Sequence, residues 1–467
     1  MKKIGGQTEL KILIGVFIVS RMITVLLGLH LNIRALSVYW QYLDLETLRH
    51  HLISGVWYDH SQPPFFNLLL GTIFKIGGDY SVFLFTFLFK FISLLNALLL
   101  FAIVKRLTRV PYLSLITGTA YLLSPATLIF ECEIFYTTTI SLLLLVSVYY
   151  LVRITESGKN RYVFGIIIPM VLLCLTRSVY HIVWFILIVS FLLFYFREKS
   201  SVKTMILASV TGLVLIGSWY VKNKILFGKL TTSTWIGMNL ARNVFHDNEV
   251  IDSSRIEAYE PFSRIGLYRK FLDSGYENKF RGMNDRDLLR EYKNDTLMNV
   301  KEVSYIPISD LYMKASMAHI RSHPVAYAQN VVQSSILYFT PGTVYTFAIE
   351  PSEKIKYYDI LYSFNLTHFA HSKMGRRVLL TISAFPKLLL YLFVFFVFIR
   401  NCVRIRSIDP YNLFILLTIT FVFGISSLFE HYENMRFRFE TEPLFMILAA
   451  QVISNLYYRI KTVNPHI

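Results

Sequence analysis

The sequence predicts an all-α polytopic membrane protein, a bundle of about ten transmembrane helices with a large external loop domain. Three observations predict it. Of 467 residues, 54% are hydrophobic and only 16% are charged, whereas a soluble globular chain is about a quarter charged. The apolar residues fall into runs of spanning length. The basic residues gather in short clusters beside those runs.

A membrane helix needs roughly 17–25 mainly apolar residues. Suitable runs lie near 12–30, 80–104, 111–130, 134–152, 162–178, 180–196, 204–221, 378–399, 411–429 and 440–458. The first holds Arg21 and lacks a small-residue cleavage site, so it reads as a retained helix rather than a signal peptide. Six basic clusters border the runs, among them Lys105, Arg106 and Arg109, then Arg153, Lys159 and Arg161, then Arg400, Arg404 and Arg406. Basic clusters mark the cytoplasmic ends of spans. Placing all six inside makes the spans alternate, with both termini cytoplasmic and two large external regions, 31–79 and 222–377.

Parity then excludes a single crossing by Val325–Glu350, where Gln329, Asn330, Gln333 and a Pro341-Gly342 break suit a surface or re-entrant helix. A helix is expected over Ser309–Ser322, ended by His323-Pro324. The predicted organisation is an N-terminal transmembrane module 1–221 with a first external loop 31–79, an external and mainly helical region 222–377, and C-terminal transmembrane helices 378–467.

The net charge of +17 is explained by these clusters, so nucleic acid is not expected as a partner; the lipid bilayer is. Cys132, Cys174 and Cys402 are far apart and read as packing residues. No internal repeat is visible, which weighs against many secondary-transporter folds.

The residues with chemistry cluster in predicted external segments. The first loop holds Asp44-Leu-Glu46, Ser54-Gly55-Val-Trp57, Asp59-His60 and Gln62-Pro63-Pro64-Phe65. From spacing alone, Asp44 and Glu46 also read as solvated loop acids. Glu131-Cys-Glu133 follows Ser124-Pro125, and helix-end charges would look the same. Arg177 lies four residues before His181, and Arg436 and Arg438 flank Phe437. Guanidinium forks suit phosphate oxygens. Lys90 and Lys387 lie inside apolar runs, where a charge suggests function or a buried partner, although snorkelling explains them equally. Arg21 reads better as an interface anchor. Asn294-Asp-Thr296 and Asn365-Leu-Thr367 are sequons, relevant only in a eukaryotic source.

The order Asp44-Leu-Glu46, Ser54-Gly55-Val-Trp57, Gln62-Pro63-Pro64-Phe65 resembles the GT-C class of polyprenyl-phosphate-sugar-dependent glycosyltransferases, nearest to protein O-mannosyltransferases and lipid A aminoarabinose transferases. The match covers about 35 residues closely, and it departs at Leu45, where those families often carry the second acid. The resemblance implies an inverting transfer of a sugar from a polyprenyl-phosphate donor to a lipid, glycan or protein acceptor at the external face. In that reading Asp44 is the base, with Glu46 beside it. His60, Lys90, Glu131, Glu133, Arg177, His181, Arg436 and Arg438 are the substrate- or phosphate-binding candidates. A divalent cation, Mg or Mn, held by Asp44, Glu46 or Glu133 is the alternative role for the acids. The implied location is a bacterial plasma membrane with the site facing outward, or the endoplasmic reticulum in a eukaryote. The rival functions are a lipid-linked-glycan flippase or other transporter, and a polysaccharide ligase or polymerase.

Overall fold

The structure, a computed structural model, describes residues 6–33, 35–245, 277–280, 286–292, 299 and 301–463. Among these residues the regular elements are all helices, and an isolated parallel bridge joins Asn32 to Glu133.

Helix α1 (Gly6–Leu26) leads into a turn where Gly28 takes φ +78°, and four short helices follow in the first loop: α2 (Ala35–Val38), α3 (Leu45–His50), α4 (Leu52–Tyr58) and α5 (Phe65–Gly77). Helix α5 buries Phe66, Asn67, Leu70, Gly71 and Phe74, the spacing of one helical face. The Ser54-Gly55 step matters sterically: a Cβ at Gly55 would collide with the Thr47 side chain, so glycine lets α4 lie against α3. Trp57 is half exposed beside it.

The membrane-type helices follow: α6 (Ser81–Leu107), α7 (Leu113–Leu123), α8 (Pro125–Phe130), α9 (Thr137–Ser157), α10 (Tyr162–Cys174), α11 (Ile182–Tyr195) and α12 (Val202–Phe227). The run at 111–130 is broken at Ser124, because Pro125 lacks the donor that would continue α7 and instead begins α8. After α12 come α13 (Ile236–Phe245), α14 (Arg286–Leu289), α15 (Tyr305–Ser322), α16 (Pro324–Tyr338), α17 (Ile349–Glu353) and α18 (Lys356–Ser363). The chain closes with α19 (Lys373–Ile405), α20 (Pro410–Phe429) and α21 (Asn434–Val463).

Among the described residues, five stretches are long and apolar enough to cross a membrane: Phe65–Leu107, which joins α5 to α6, and then α9, α12, α19 and α20. Helices α7, α10 and α11 are apolar but short. With 13 and 14 residues, α10 and α11 are about 20 Å long at 1.5 Å per residue, less than the hydrocarbon core of roughly 30 Å. The shortening arises because both helices stop at the polar Thr176–His181 connector. Helices α1 and α21 overlap the first and last predicted runs, and each carries buried charges. Outward faces of α12 and α19 expose Leu207, Val214, Phe393, Phe396 and Val403, a surface suited to lipid.

In the segment 325–350, α16 runs to Tyr338, the chain breaks at Thr340-Pro341 and then continues in short 3-10 turns into α17, and α16 packs on α19, α20 and α21. Helix α15 ends at His323 as expected from His323-Pro324. It packs against α13 in a separate cluster of Trp235, Met238, Tyr305, Ile308 and Tyr312. A Cβ at Gly237 would strike the Ser309 carbonyl, so this contact requires glycine.

Candidate functional site

A cavity of about 520 Å³ lies where several parts of the chain meet, Tyr136 and the Thr346-Phe347 step among them. The first loop contributes Val38–Gln41 and Gln62, and the α10–α11 connector contributes Arg177, Ser178, Val179 and His181. The chain from Thr231 into α13 adds Trp235, Asn239 and Arg242, while the end of α20 and start of α21 add Glu430, Glu433, Arg436 and Phe437.

The last wall is shaped by a tight turn. Tyr432 takes φ 79°, a left-handed conformation uncommon outside glycine. Asn434 fixes the turn, its side-chain NH₂ donating to the carbonyls of Ser426 at 2.9 Å and Glu430 at 3.2 Å. Glu430 and Glu433 are thereby held on the cavity wall beside Arg436.

Among the described residues, three arginines line this cavity, and each meets a glutamate. Arg177 donates to Glu440, and its guanidinium lies 3.6 Å from the Phe437 ring centroid. Arg436 donates to Glu433 and, at 3.3 Å, to the Tyr136 hydroxyl, with Phe135 beneath it at 4.2 Å. Its buried Nε donates to no described residue. Arg242 contacts Glu430 at 3.3 Å. Burial lifts the Glu430 carboxyl to about 7, with the Arg242 charge offsetting only part of the effect. Burial also pushes Glu433 upward, but the charges of Arg436, Arg242 and Arg177 outweigh it and hold Glu433 below the usual range.

Of the residues singled out in the sequence, Arg177, His181 and Arg436 line the cavity together. The others are placed elsewhere. Asp44 caps α3: its carboxylate accepts from the Thr47 amide at 2.8 Å and the Thr47 hydroxyl at 3.0 Å, and Arg290 lies 3.8 Å away. It is buried and does not line the cavity, although it follows Gln41 closely along the chain, whereas Glu46 is exposed. Glu133 accepts from the hydroxyl of Tyr39 at 3.2 Å, so it reaches the cavity only through that residue. Burial lifts its carboxyl to about 7.

His60 is fully engaged. Its Nδ1 lies 2.7 Å from the Thr234 hydroxyl and its Nε2 lies 2.7 Å from the Lys301 carbonyl. Lys301 in turn donates to Asp59 at 2.9 Å and Ser61 at 2.8 Å. Burial lowers the imidazole to about 4. This network ties the first loop to residues 234 and 301 and does not face the cavity.

Glu131 forms a buried ion pair with Arg21 at 2.8 Å. Arg21 is therefore not the interface anchor expected from the sequence. Lys90 is half-buried on α6, near enough for its charge to act on Glu131. Arg438 is fully buried and donates to Glu442 at 2.7 Å, which also accepts from Lys387 at 3.0 Å. These three lock α21 to α19 away from the cavity. Among the described residues, no three His, Cys, Asp or Glu side chains gather as a metal site. Asn365 is buried and donates to Asp359, so its sequon is closed in the folded chain. Asn294 lies outside the described residues.

Sequence reasoning missed Arg242 and Glu430 as partners of the site and gave Glu433 no role. One signal was available for Arg242. It lies three residues after Asn239 on a helix with a strong apolar face, so both polar side chains share the opposite side.

No family model and no curated protein matches the chain. Among solved structures, it is similar to the archaeal oligosaccharyltransferase AglB from Archaeoglobus fulgidus, solved in complex with an inhibitory peptide and a dolichol-phosphate. The identity is 12% and the TM-score 0.39, with 97% of this chain and 51% of that one covered. This chain therefore spans about half the length of that protein. A likeness this loose leaves the function to be argued from the site itself.

Proposed function

We propose that this chain is a membrane-embedded glycosyltransferase of the GT-C kind that moves a sugar from a polyprenyl-phosphate donor to an acceptor. The observation that carries this reading is the cavity. It brings Arg177 and Arg436 together with aromatic rings and small polar side chains beside the loop that holds Asp44. Two guanidinium groups suit the single negative charge of a phosphodiester. Trp40 and Trp235 offer ring faces to a sugar, and Gln41, Gln62 and Asn239 offer hydrogen bonds to its hydroxyls.

The chemistry is one inverting displacement. The acceptor oxygen or nitrogen bonds to the anomeric carbon as the bond from that carbon to the phosphate oxygen breaks. The phosphate leaves with the electron pair, neutralised by the arginines, and the acceptor proton passes to Asp44. For this step Asp44 has to leave its hydrogen bonds to Thr47 and turn toward Gln41. The basic clusters support a site on the external face.

The test is mass spectrometry of cell-envelope glycans and glycoproteins with and without the protein, followed by transfer with the purified chain. Loss of one glycan class, restored by the active chain, is the expected result. Identical glycan profiles, together with movement of lipid-linked substrate across vesicle membranes in the absence of acceptor, would replace the transferase with a transporter.

A further inference from the structure

We propose that the groove between α9 and α10, at the end of the bundle where Arg161 lies, holds an anionic phospholipid, with its headgroup phosphate on Arg161 and an acyl chain along Phe164 and Ile168. Among the described residues it shares none with the cavity of Arg177 and Arg436, and it does not depend on how that cavity is read.

The groove has the polarity of an amphiphile. It encloses about 550 Å³, within the roughly 300–1,000 Å³ of small-ligand sites. Arg161, just before the first residue of α10, lines one end, and Phe164, Ile168 and Pro169 continue along the helix. From Arg161 to Ile168 the chain rises about 10 Å at 1.5 Å per residue, which spans the upper part of an acyl chain. Phe164 and Ile168 are 49% and 55% exposed. On a helix whose other face buries Val163, Ile166, Ile167 and Met170, that exposure fits lipid rather than water.

A close approach builds the wall. Tyr150 on α9 also lines the groove, and a Cβ at Gly165 would overlap its ring. Glycine therefore lets the Tyr150 ring lie directly on α10. The Tyr162 ring stands 5.8 Å from it, centroid to centroid, and lines the same groove.

Charge selects the headgroup. Around the turn from α9 to α10, Glu156 is taken by Arg106 at 3.0 Å and approached by Arg153 at 3.9 Å. Arg153 also donates to the hydroxyls of Tyr149 at 3.2 Å and Tyr162 at 2.8 Å. Arg161 differs. Its side chain is exposed, it donates to the Tyr162 hydroxyl at 3.4 Å, and no carboxylate meets it among the described residues. Exposed Lys159 adds a second cation beside it. A guanidinium placed this way pairs with the phosphate of a lipid, and basic pockets between membrane helices select anionic headgroups. Under the topology expected from the basic clusters, this end of the bundle borders the cytoplasmic leaflet, where anionic lipids attract such clusters.

The experiment is native mass spectrometry of the purified full-length protein in detergent, with phosphatidylglycerol or phosphatidylcholine of the same chains added at equal concentration. Wild type should retain phosphatidylglycerol about fivefold more than phosphatidylcholine, the effect of one basic residue on an anionic lipid. Arg161→Gln should erase most of that preference. Ile168→Trp, at an exposed position, keeps every charge but fills the groove, and should lose the retained phosphatidylglycerol. Lys199→Gln, in a basic cluster outside the groove, should behave as wild type. Thermal unfolding of each variant without added lipid should match wild type, which separates loss of the site from loss of the fold.

Equal retention of the two lipids by wild type would overturn the inference. So would undiminished phosphatidylglycerol on Ile168→Trp, because diffuse attraction to the charges would then suffice. Displacement of phosphatidylglycerol by inorganic phosphate alone would remove the acyl chain from the groove. A dimer lost in Ile168→Trp, with no lipid retained by wild type, would give the groove to a second copy of the chain instead.

Discussion

Arg177 donates to Glu440, joining the connector between α10 and α11 to α21. Both side chains are buried, so removing either strands the other's charge in a poor solvent. Arg177→Ala and Glu440→Gln are each expected to destabilise the fold by about 3–5 kcal/mol. Thermal unfolding in one detergent checks this. A double variant less damaged than the sum of the single ones would confirm the coupling.

Arg436 is held by Glu433 and Tyr136 with its Nε left over. Arg436→Ala is expected to raise the donor concentration needed for half-maximal transfer by about tenfold or more, the effect of a lost charge-assisted contact. Arg438→Ala, which strikes the Lys387–Glu442 lock, should instead lower stability. Donor titration and thermal unfolding on both variants separate these roles. Unchanged donor dependence in Arg436→Ala would remove this residue from the phosphate site.

Asp44→Asn is a clean test of the base because asparagine caps helices about as well as aspartate, so α3 keeps its start. Folding and membrane level should stay near wild type while transfer falls by about 10²–10⁴-fold. Glu46→Gln, at an exposed position, should have a small effect. Wild-type transfer by purified Asp44→Asn at saturating donor would exclude Asp44 as the base.

The His60 network predicts a stability that depends on acidity. Its folded-state value of about 4 lies below the unfolded value of about 6.5, so the unfolded chain binds more protons between the two. Stability should therefore fall as pH drops from about 6.5 toward 4, by up to about 3 kcal/mol for this one buried group. The lowered Asp59 carboxyl adds to the loss at still lower pH: burial raises it, but Lys301 outweighs that effect. Unfolding temperatures of wild type and His60→Gln across this range provide the check, with a flatter profile expected for the variant.

Topology is tested by cysteine labelling. Lys159→Cys and Arg404→Cys should react from the cytoplasmic side, and Lys314→Cys, on an exposed face of α15, from outside. Cytoplasmic reactivity at Lys314→Cys would move the cavity to the opposite face and exclude an externally directed transferase.

What the sequence alone determined was the helical scaffold. The apolar run at 134–152 and the His323-Pro324 stop of α15 are set by residues within a turn or two of each other, so local pattern suffices. It also singled out Arg177, His181 and Arg436, because cations between apolar runs stand out one at a time. Only the tertiary structure decided which charges meet. Arg21 finds Glu131, Arg177 finds Glu440 and Arg242 finds Glu430 across long stretches of chain, while adjacent Asp44 and Glu46 part into a buried cap and an exposed side chain. A buried charge takes the partner that three-dimensional packing brings within a few ångströms, and distance along the sequence has no bearing on that choice.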